Sequence, residues 1–425
     1  MNTRNLKQWL SYLEQLHPNE IDMGLARVQE VAQRLRLPHL AKKIITVTGT
    51  NGKGSTCALL ASLVAGQGLS VGVYSSPHLL RYNERVRINA EEVSDTQLCA
   101  AFTAVEEARA EVSLTYFEMG TLAAFWLFAQ SSLDVVILEV GLGGRLDAVN
   151  IIDADVAVVT SIGIDHKDWL GDTRDSVAYE KAGIFRPELP AVCGDIDPPE
   201  QLLTRAALLK TPLVLRGRDF DLALSEHVWH WRGLDGQGNP IYLQDIPLLS
   251  LPVENAAVAL QAYALLDLPW QPQVLIDSLC QATMQGRLQN VTVQWQSRSL
   301  SLLLDVAHNP HAAQYLAARL AAQPIKGRRL AVLGVLDDKD LSGVLDCMQA
   351  QIGNWAVAPL PTSRSCRVES LHGALEARQA VVASYGNIAQ AIEAQCSQAT
   401  ADDQIIIFGS FYTVAEALLW LERQQ

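Results

Sequence analysis

Short apolar runs rich in β-branched residues alternate with helical patterns along the first half of the chain. The runs predict buried strands at residues 44–48, 70–75, 134–140, 155–162 and 190–194. The segments between them predict helices that include 94–110, opened by a Ser94-x-x-Gln97 capping box, and 117–131. Strands that are apolar throughout and separated by helices are typical of a parallel sheet covered on both faces. Ligands of such sheets bind at the carboxyl ends of the strands, so we expect a site there.

The same alternation returns in the second half of the chain after a break. Residues 215–250 carry Trp229, Trp231 and several glycines, which predicts a small β excursion. Helices are expected near 253–266 and 272–283. After Gly286-Arg287, we predict strands at 299–305, 329–335, 354–358 and 404–409, and helices at 310–322, 340–351, 369–382, 387–396 and 411–423. The change of pattern predicts a domain boundary near 288–296.

Residues 45–56 join a β-branched strand to an Ala/Leu-rich helix through a glycine-rich turn. The glycines let the backbone turn sharply, so that its N–H groups converge on phosphate oxygens at the N-terminus of a helix. Lys53 supplies a charge for the β- and γ-phosphates, and a nearby hydroxyl can face Mg²⁺. The strict GxxxxGK[ST] spacing is not met, because Gly54 separates Lys53 from Ser55. An ordinary tight turn is the alternative, and we expect ATP.

The predicted fold class is therefore α/β. A P-loop parallel-sheet ATPase domain, which includes the β excursion, is expected over residues 1–290. A smaller Rossmann-like α/β domain without a phosphate loop of its own is expected over residues 291–425.

Composition narrows the class of partner and the compartment. A net charge of −13 over 425 residues argues against a protein that binds nucleic acid, which needs a clustered basic face. The apolar runs are too short to span a bilayer, and the N-terminal segment is amphipathic without a signal-type apolar core. The seven cysteines are scattered and form no CxxC pair, which is typical of reduced thiols. We expect a cytoplasmic monomer that binds neither nucleic acid nor membrane.

Polar residues at the ends of two strands of the first predicted sheet, and one lysine farther along the chain, are candidates for metal binding. Glu139 ends an apolar strand, where a carboxylate needs a cation or backbone N–H groups as partners; beside a phosphate loop the natural partner is Mg²⁺. His166, after Asp165, gains weight as a metal ligand for the same reason, although a structural histidine is the alternative. Lys181 is by default a solvated lysine, but its neutral amine could capture CO₂ and offer a carbamate oxygen.

The second half offers a smaller set of polar strand ends. Asp305 and His308 lie at a strand-to-helix junction, where Asn309 can cap the helix that Pro310 opens. Phe408-Gly409-Ser410 is a similar junction. We expect both junctions to face the nucleotide across a cleft.

Taken together, these motifs resemble the folylpolyglutamate synthase/dihydrofolate synthase family, within the Mur-type ATP-dependent peptide ligases. The resemblance covers nearly the whole chain and keeps the family order. Its motifs are Gly-Leu-x-Arg27, Thr48–Thr56, Tyr74–Leu79 with Arg81 to Arg87, Thr115-Tyr-Phe-Glu118, Leu138–Asp147, Ser161–His166, Glu180–Gly183, Glu254-Asn255, Gly286-Arg287 and Asp305–Pro310.

The resemblance implies roles for individual residues. ATP would be bound by Thr50, Asn51, Gly52, Lys53, Gly54 and Ser55, and from the far side of the cleft by Asn255, Arg287 and Asp305. Two Mg²⁺ ions would be held by Ser76, Glu139, His166 and carbamylated Lys181. The catalytic residues would be Lys53, Lys181, Asp305 and His308. The pterin and pteroate pocket, with the other substrate contacts, would use Thr115, Tyr116, Phe117, Glu118, Arg145, Leu146, Asp147, Arg81 and Ser410.

It also implies a reaction. A pteroate or folate carboxylate attacks the γ-phosphorus of ATP, and the amine of L-glutamate then displaces phosphate from the acyl phosphate. The motif at 115–118 favours the bacterial bifunctional type, which acts on dihydropteroate and on reduced folates. Two alternatives stay open: a Mur ligase acting on a UDP-muramoyl peptide, and a nucleotide-dependent switch or binding module. Against the first, residues 1–43 leave no room for a separate UDP-binding domain.

Overall fold

The computed structural model of the protein describes residues 4–37 and 39–424. The first three residues of the predicted N-terminal helix lie outside this range. The chain divides into a first unit, Met1–Thr283, and a second unit, Met284–Gln425. This division falls slightly before the predicted boundary between residues 290 and 291.

The main sheet of the first unit is built around the phosphate-loop strand. Its strands are β1 (Lys43–Thr48), β2 (Val71–Tyr74), β3 (Val86–Ile88), β4 (Glu91–Glu92), β5 (Val135–Glu139), β6 (Val156–Val159), β7 (Ala191–Cys193) and β8 (Leu213–Leu215). Their spatial order is β4-β3-β2-β5-β1-β6-β7-β8. From β2 to β8 all pairs are parallel, and β3 and β4 add an antiparallel edge.

Helices cover this sheet on both faces, which is why its central strands are apolar throughout. The helices of the first unit are α1 (Leu6–Leu13), α2 (Ala26–Leu35), α3 (Lys53–Gly66), α4 (Asp95–Arg109), α5 (Tyr116–Ala129), α6 (Lys167–Leu170), α7 (Arg174–Lys181), α8 (Glu200–Leu209), α9 (Val253–Ala264) and α10 (Pro272–Gln281). One core joins β2 and β5 to α4 and α5 through Phe102, Phe125 and Phe128. Another joins β6 and β7 to α7 and α8.

The β excursion is an antiparallel sheet of β9 (Asp221–Leu224), β10 (Val228–Leu234) and β11 (Pro240–Pro247). Trp229 and Trp231 are both buried, because residues two apart in a strand point to the same face of the sheet. The indole N–H of Trp231 donates to the carbonyl of Ala257 at 3.1 Å, which ties the excursion to α9.

The second unit has its own sheet, with strands β12 (Gln289–Trp295), β13 (Arg298–Asp305), β14 (Arg329–Leu333), β15 (Asn354–Val357), β16 (Val382–Ser384) and β17 (Gln404–Phe408) in the order β12-β13-β17-β14-β15-β16. Only the β12–β13 pair is antiparallel within the residues described. Its helices are α11 (Pro310–Ala322), α12 (Leu341–Met348), α13 (Val368–Glu376), α14 (Ile388–Gln398) and α15 (Phe411–Glu422). The predicted α/β class, with a large, mainly parallel sheet followed by a separate smaller one, is confirmed.

Several edge elements differ from the prediction. The helix expected over 369–382 ends at Glu376, and residue 382 instead begins β16. The predicted boundary region, 288–296, is occupied by β12, whose alternating exposed and buried residues suit an edge strand. β3, β4 and β8 were not predicted, because such short edge strands carry too few residues to show a period.

Two further observations concern the whole described chain. All seven cysteines are free thiols. In residues 4–37 and 39–424, no helix is long and apolar enough to cross a membrane.

Candidate active site

The glycine-rich turn after β1 is held in place by the chain segment that follows β6. The amide of Thr50 donates to the carbonyl of Ser161 at 2.9 Å, and the hydroxyl of Thr50 donates to the carbonyl of Gly163 at 2.8 Å. The hydroxyl of Ser161 accepts from the amide of Asn51 at 3.0 Å, and the hydroxyl of Thr160 donates to the carbonyl of Asn51 at 2.6 Å. The turn is therefore a fixed loop, whose shape does not depend on its own sequence alone.

Gly52 is where this loop enters α3. Its φ of +85° is left-handed, which favours glycine, and Lys53 is the first residue of the helix. The ammonium of Lys53 donates to the carbonyl of Gly49 at 2.8 Å, so the side chain folds back over the loop. The helix N-terminus, the loop and the ammonium of Lys53 therefore lie together.

Asn255 is close to the same loop. A Cβ added to Gly52 would lie 2.6 Å from Oδ1 of Asn255, which shows how tightly the two residues approach. This corrects the expected placement of Asn255 with Arg287 and Asp305 on the far side of a cleft. Asn255 belongs to the first unit, because α9 packs along α3 and brings its first turn to the loop.

Glu139 ends β5 beside the loop. It is 4% exposed, and its Oε2 accepts from the amide of Ser76 at 3.3 Å, which brings the two predicted metal ligands together. Burial raises the pKa of the Cys57 thiol on α3, and the charge of Glu139 raises it further while that of Lys53 lowers it. Both charged groups therefore act at the start of α3.

No group of three or more His, Cys, Asp and Glu side chains that could hold a metal is found within residues 4–37 and 39–424. The buried carboxylate of Glu139 has Ser76 beside it. Mg²⁺ is commonly bound in this way, through one or two carboxylates with phosphate oxygens and water.

Lys181 is buried at the end of α7, with 2% of its surface exposed. Burial lowers its pKa well below the usual lysine value; the charge of Lys53 lowers it further, and that of Asp165 opposes the shift. The alternative of a solvated lysine is therefore excluded. His166 is exposed at the start of α6, with a left-handed φ of +51°, next to the Asp165 that acts on Lys181.

The segment after Glu139 and the start of α5 meet near the loop. A Cβ on Gly141 would lie 2.7 Å from Cζ of Phe117 and 3.3 Å from Oδ2 of Asp147. Asp147 is buried and accepts from the amides of Leu142 and Val149 at 2.9 and 3.0 Å. Burial raises the pKa of Asp147 to about 6, while these hydrogen bonds and the charge of Lys53 oppose the rise.

Thr115 and Glu118 form the capping box of α5. The hydroxyl of Thr115 accepts from the amide of Glu118 at 3.2 Å, and Glu118 Oε2 accepts from the amide of Thr115 at 2.7 Å. The other oxygen of Glu118 accepts from Arg27 at 3.0 Å. Tyr116 stacks edge-on against Tyr82 at 5.7 Å. Both carboxylate oxygens of Glu118 thus accept hydrogen bonds within the protein, one from the start of α5 and one from Arg27.

Three other predicted substrate residues lie against α7 or at the surface beside α1. Arg145 donates to Oε1 of Glu180 at 2.8 Å and lies 5.3 Å from the ring of Tyr179, so it packs on α7; Leu146 beside it is half-buried. Arg81 has a side chain 63% exposed and an ion pair with Asp95 at 3.5 Å. It lines a surface cleft of about 320 Å³ next to α1.

The predicted residues of the second unit lie at the carboxyl ends of adjacent strands. Asp305 ends β13 and accepts from the amides of Leu288 and Ala307, both at 2.8 Å. Burial raises its pKa, while the charge of Arg287 opposes the rise. Ser410 caps α15 by accepting from the amide of Thr413 at 3.0 Å.

His308 lies 2.8 Å from the carbonyl of Val306 through Nδ1. A carbonyl only accepts, so Nδ1 of His308 carries a proton in this contact.

Sequence reasoning missed Phe411, the first residue of α15. The guanidinium of Arg287 lies 5.2 Å from its ring centre, and the ring of His308 lies 6.2 Å away. Phe411 thus contacts two predicted site residues. Its position directly after Ser410 is the feature of the sequence that could have identified it.

The support behind the phosphate loop was also missed. Asp195 accepts from the amide of Ile162 at 2.9 Å, and Arg174 donates to Asp195 at 3.0 Å and to the carbonyl of Ile162 at 3.1 Å. These partners are too far apart in sequence for any local pattern to reveal them.

Comparison with known proteins matches both units. Residues 47–198 match the family model of the Mur ligase middle domain, and residues 286–411 match that of the Mur ligase glutamate ligase domain. The dihydrofolate synthase/folylpolyglutamate synthase of Escherichia coli (strain K12) is 46% identical, over 97% of this chain and 94% of the relative.

Solved structures agree with this relationship. E. coli FolC in complex with DHPP and ADP superposes with a TM-score of 0.93 at 45% identity, covering 99% of this chain and 98% of that one. A bifunctional folylpolyglutamate synthase/dihydrofolate synthase with Mn, AMPPNP and L-glutamate bound gives a TM-score of 0.91 at 44% identity, with the same coverage. The chain therefore belongs to the dihydrofolate synthase/folylpolyglutamate synthase family of the Mur ligases.

Proposed function

We propose that the protein is an ATP-dependent ligase that joins L-glutamate to dihydropteroate and to reduced folates through an acyl phosphate, releasing ADP and phosphate. The observation that carries this proposal is the gathering of Lys53, Glu139, Lys181 and Asp147 around one phosphate loop. The charge of Lys53 acts on the pKa of both Lys181 and Asp147. Lys53 would thus serve both the triphosphate and the carboxylate of the substrate.

The phosphate loop would bind ATP through the backbone N–H groups at the positive end of α3, which begins at Lys53, while the amides of Thr50 and Asn51 hold the loop to Ser161. Thr160 and Ser161 hold its shape before the nucleotide arrives, so little order has to be created on binding. Lys53, which donates to the carbonyl of Gly49, would exchange this neutral acceptor for phosphate oxygens.

Glu139 and Ser76 fit a divalent cation. The carboxylate of Glu139 is buried and lies within 3.3 Å of the amide of Ser76, and carboxylate and hydroxyl oxygens are ligands that Mg²⁺ takes beside phosphate. We propose two Mg²⁺ ions, with His166 and carbamylated Lys181 as the further ligands. When bound, the cations would offset the repulsion between an attacking carboxylate and the triphosphate.

The carbamate follows from the environment of Lys181. Its buried amine favours the neutral form, and a neutral amine can add to CO₂ with loss of one proton, giving an N-carboxylate. The product would turn a buried neutral amine into an anion, which the ammonium of Lys53 would stabilise. Burial thus disfavours the ammonium form of Lys181, whereas the carbamate form would be paired with the ammonium of Lys53.

The pteroate moiety is proposed to lie against Phe117 and Asp147. The carboxyl of Asp147 has a pKa of about 6, so near neutral pH it is mainly ionised and can accept N–H groups of a pterin. Thr115 and Glu118 hold the start of α5, and Tyr116, Arg145, Leu146 and Arg81 remain proposed contacts of the substrate.

The chemistry needs an in-line attack and then an aminolysis. The substrate carboxylate forms a bond to the γ-phosphorus as the bond to the β–γ bridging oxygen breaks, giving ADP and the acyl phosphate. The amine of glutamate then attacks the acyl carbon, and phosphate leaves. Nε2 of His308 is suited to accept the amine proton, because Nδ1 is already committed to Val306. Asp305, Arg287, Asn255 and Ser410 are proposed for ATP and glutamate binding.

The proposed function is tested with purified protein, Mg·ATP and radiolabelled L-glutamate. We expect label in product with dihydropteroate and with tetrahydrofolate, one ADP per glutamate, and no ADP release when either acceptor or glutamate is omitted. Product from a UDP-muramoyl peptide alone would favour the other Mur ligases. ADP release at the same rate with and without pteroate and glutamate would favour a nucleotide-dependent switch.

Free cysteines at every position suit a reducing compartment, and we propose a cytoplasmic monomer. Light scattering of the purified chain would measure the assembly directly.

A further inference from the structure

The loop between β2 and β3 carries one of the proposed metal ligands. We call residues 75–81 the metal loop. Within it, Ser76 donates its amide to Oε2 of Glu139 at 3.3 Å, so the position of the loop sets the distance between the two ligands. The loop is partly exposed and has no regular secondary structure to hold it.

The carboxylate of Glu84 accepts hydrogen bonds from three successive amides at the far end of the metal loop. Glu84 Oε2 accepts from the amide of Leu79 at 2.7 Å, and Oε1 accepts from the amides of Leu80 and Arg81 at 2.7 and 2.6 Å. Three successive N–H groups that converge on one point are the usual arrangement around a bound anion. Here the chain supplies the anion from its own side chain.

The residue after Glu84 provides a second attachment. Arg85 donates from Nε to Nδ1 of His78 at 2.9 Å, and its carbonyl accepts from the amide of Ser75 at 2.9 Å. The guanidinium of Arg85 lies 5.1 Å from the ring of Tyr82 and 5.6 Å from that of Tyr116. Since these rings belong to the core, the turn that carries Glu84 is a rigid base for the loop.

We propose that Glu84 is a positioning residue that holds the metal loop so that Ser76 stays beside Glu139 and a divalent cation can bind both. This inference rests on the proposed function, which assigns the cation to these two residues. Without the carboxylate, three amides lose their acceptor at once, and the loop relaxes toward conformations in which water satisfies them. Supporting residues of this kind typically change metal affinity when they are removed.

The test measures Mn²⁺ binding to the full chain in the presence of ADP, from the electron paramagnetic resonance signal of free Mn²⁺. The variants are Glu84→Gln and, as the matched control, Glu91→Gln, which removes a carboxylate from an exposed site on the same hairpin. We expect Glu84→Gln to weaken Mn²⁺ binding roughly 10- to 100-fold, with Glu91→Gln unchanged. Raised Mg²⁺ should restore the ligase rate of Glu84→Gln toward that of the wild type.

A third variant separates this inference from the proposed function. Glu139→Gln should abolish the same Mn²⁺ binding; if it does and Glu84→Gln binds Mn²⁺ as tightly as Glu91→Gln, the positioning role is overturned and the metal site stands. Unchanged binding in Glu139→Gln would overturn the metal site itself. Should Glu84→Gln not fold, Glu84→Asp replaces it, since the shorter carboxylate cannot reach all three amides: weaker Mn²⁺ binding supports the proposal, and unchanged binding contradicts it.

Discussion

Replacing Gly52 by alanine tests whether the glycine-rich turn is a nucleotide site or only a bend. Gly52 has a φ of +85°, and an added Cβ would lie 2.6 Å from Oδ1 of Asn255 and 3.1 Å from its Cγ. Gly68 offers a matched control. Its φ of +77° is equally left-handed, but nothing lies within 4 Å of its added Cβ. The two variants therefore share backbone strain and differ only in the contact with Asn255.

The two costs can be separated from this geometry. A left-handed alanine costs about 1–2 kcal/mol, which both variants lose from the free energy of unfolding. Restoring an ordinary contact of about 3.5 Å requires the loop and Asn255 to separate by about 1 Å. Overpacking of this kind adds about 1–3 kcal/mol in Gly52→Ala alone. A shift of about 1 Å in groups that position a substrate can also lower kcat/KM about 100-fold.

The assay is the stabilisation that ADP gives each variant, measured by thermal unfolding at a fixed ADP concentration. At an ADP concentration of about 100 Kd, binding stabilises the wild type by about 2.7 kcal/mol, and a 100-fold weaker site would give about 0.4 kcal/mol. We expect Gly68→Ala to respond as the wild type does and Gly52→Ala to respond weakly. If ADP stabilised Gly52→Ala as much as Gly68→Ala, the turn would not be the phosphate site.

Three further predictions follow from buried and supporting groups. Lys181→Met should abolish ligation yet unfold at a higher temperature than the wild type in CO₂-free buffer. In the wild type, at pH values between the lowered pKa of Lys181 and the ordinary value of 10.5, the unfolded chain binds a proton at this residue that the folded chain does not. The free energy of unfolding therefore rises with pH in this window. The variant should lose this rise when the free energy of unfolding is measured by chemical denaturation at several pH values. Arg174→Ala should raise the KM for ATP and lower the free energy of unfolding by about 1–2 kcal/mol, because it frees Asp195; Asp197→Asn, which loses only an exposed ion pair, should not. Phe411→Leu should lower kcat severalfold in steady-state assays with a nearly unchanged melting temperature, whereas Tyr412→Leu on the exposed side should be silent.

The sequence predicted those parts of the site that local patterns encode. The phosphate loop and Glu139 stand in recognisable motifs at the ends of apolar strands. The burial of Lys181 was not predicted, because its helix carries mainly polar residues and a solvated lysine was the default. The strands of both sheet centres were predicted because a strand buried on both faces is apolar throughout. The edge strands β3, β4 and β12 were not, since short or half-exposed strands resemble loops.

What could not be predicted depends on contacts between distant residues. The approach of Asn255 to Gly52 arises from the packing of α9 along α3, which no local pattern contains. The sequence spacing of Arg27 and Glu118 likewise does not show that the guanidinium of Arg27 donates to the carboxylate of Glu118. The support of the loop by Asp195 was missed for the same reason, because Asp195 and Ile162 lie in segments that only the sheet brings together.

The central claim is that the substrate carboxylate, and no water molecule, attacks ATP in this site. Dihydropteroate labelled with ¹⁸O in its carboxyl group tests this directly, by mass spectrometry of the phosphate released during glutamate addition. The acyl phosphate route predicts one carboxyl oxygen in each released phosphate. Unlabelled phosphate accompanying full product formation would contradict it.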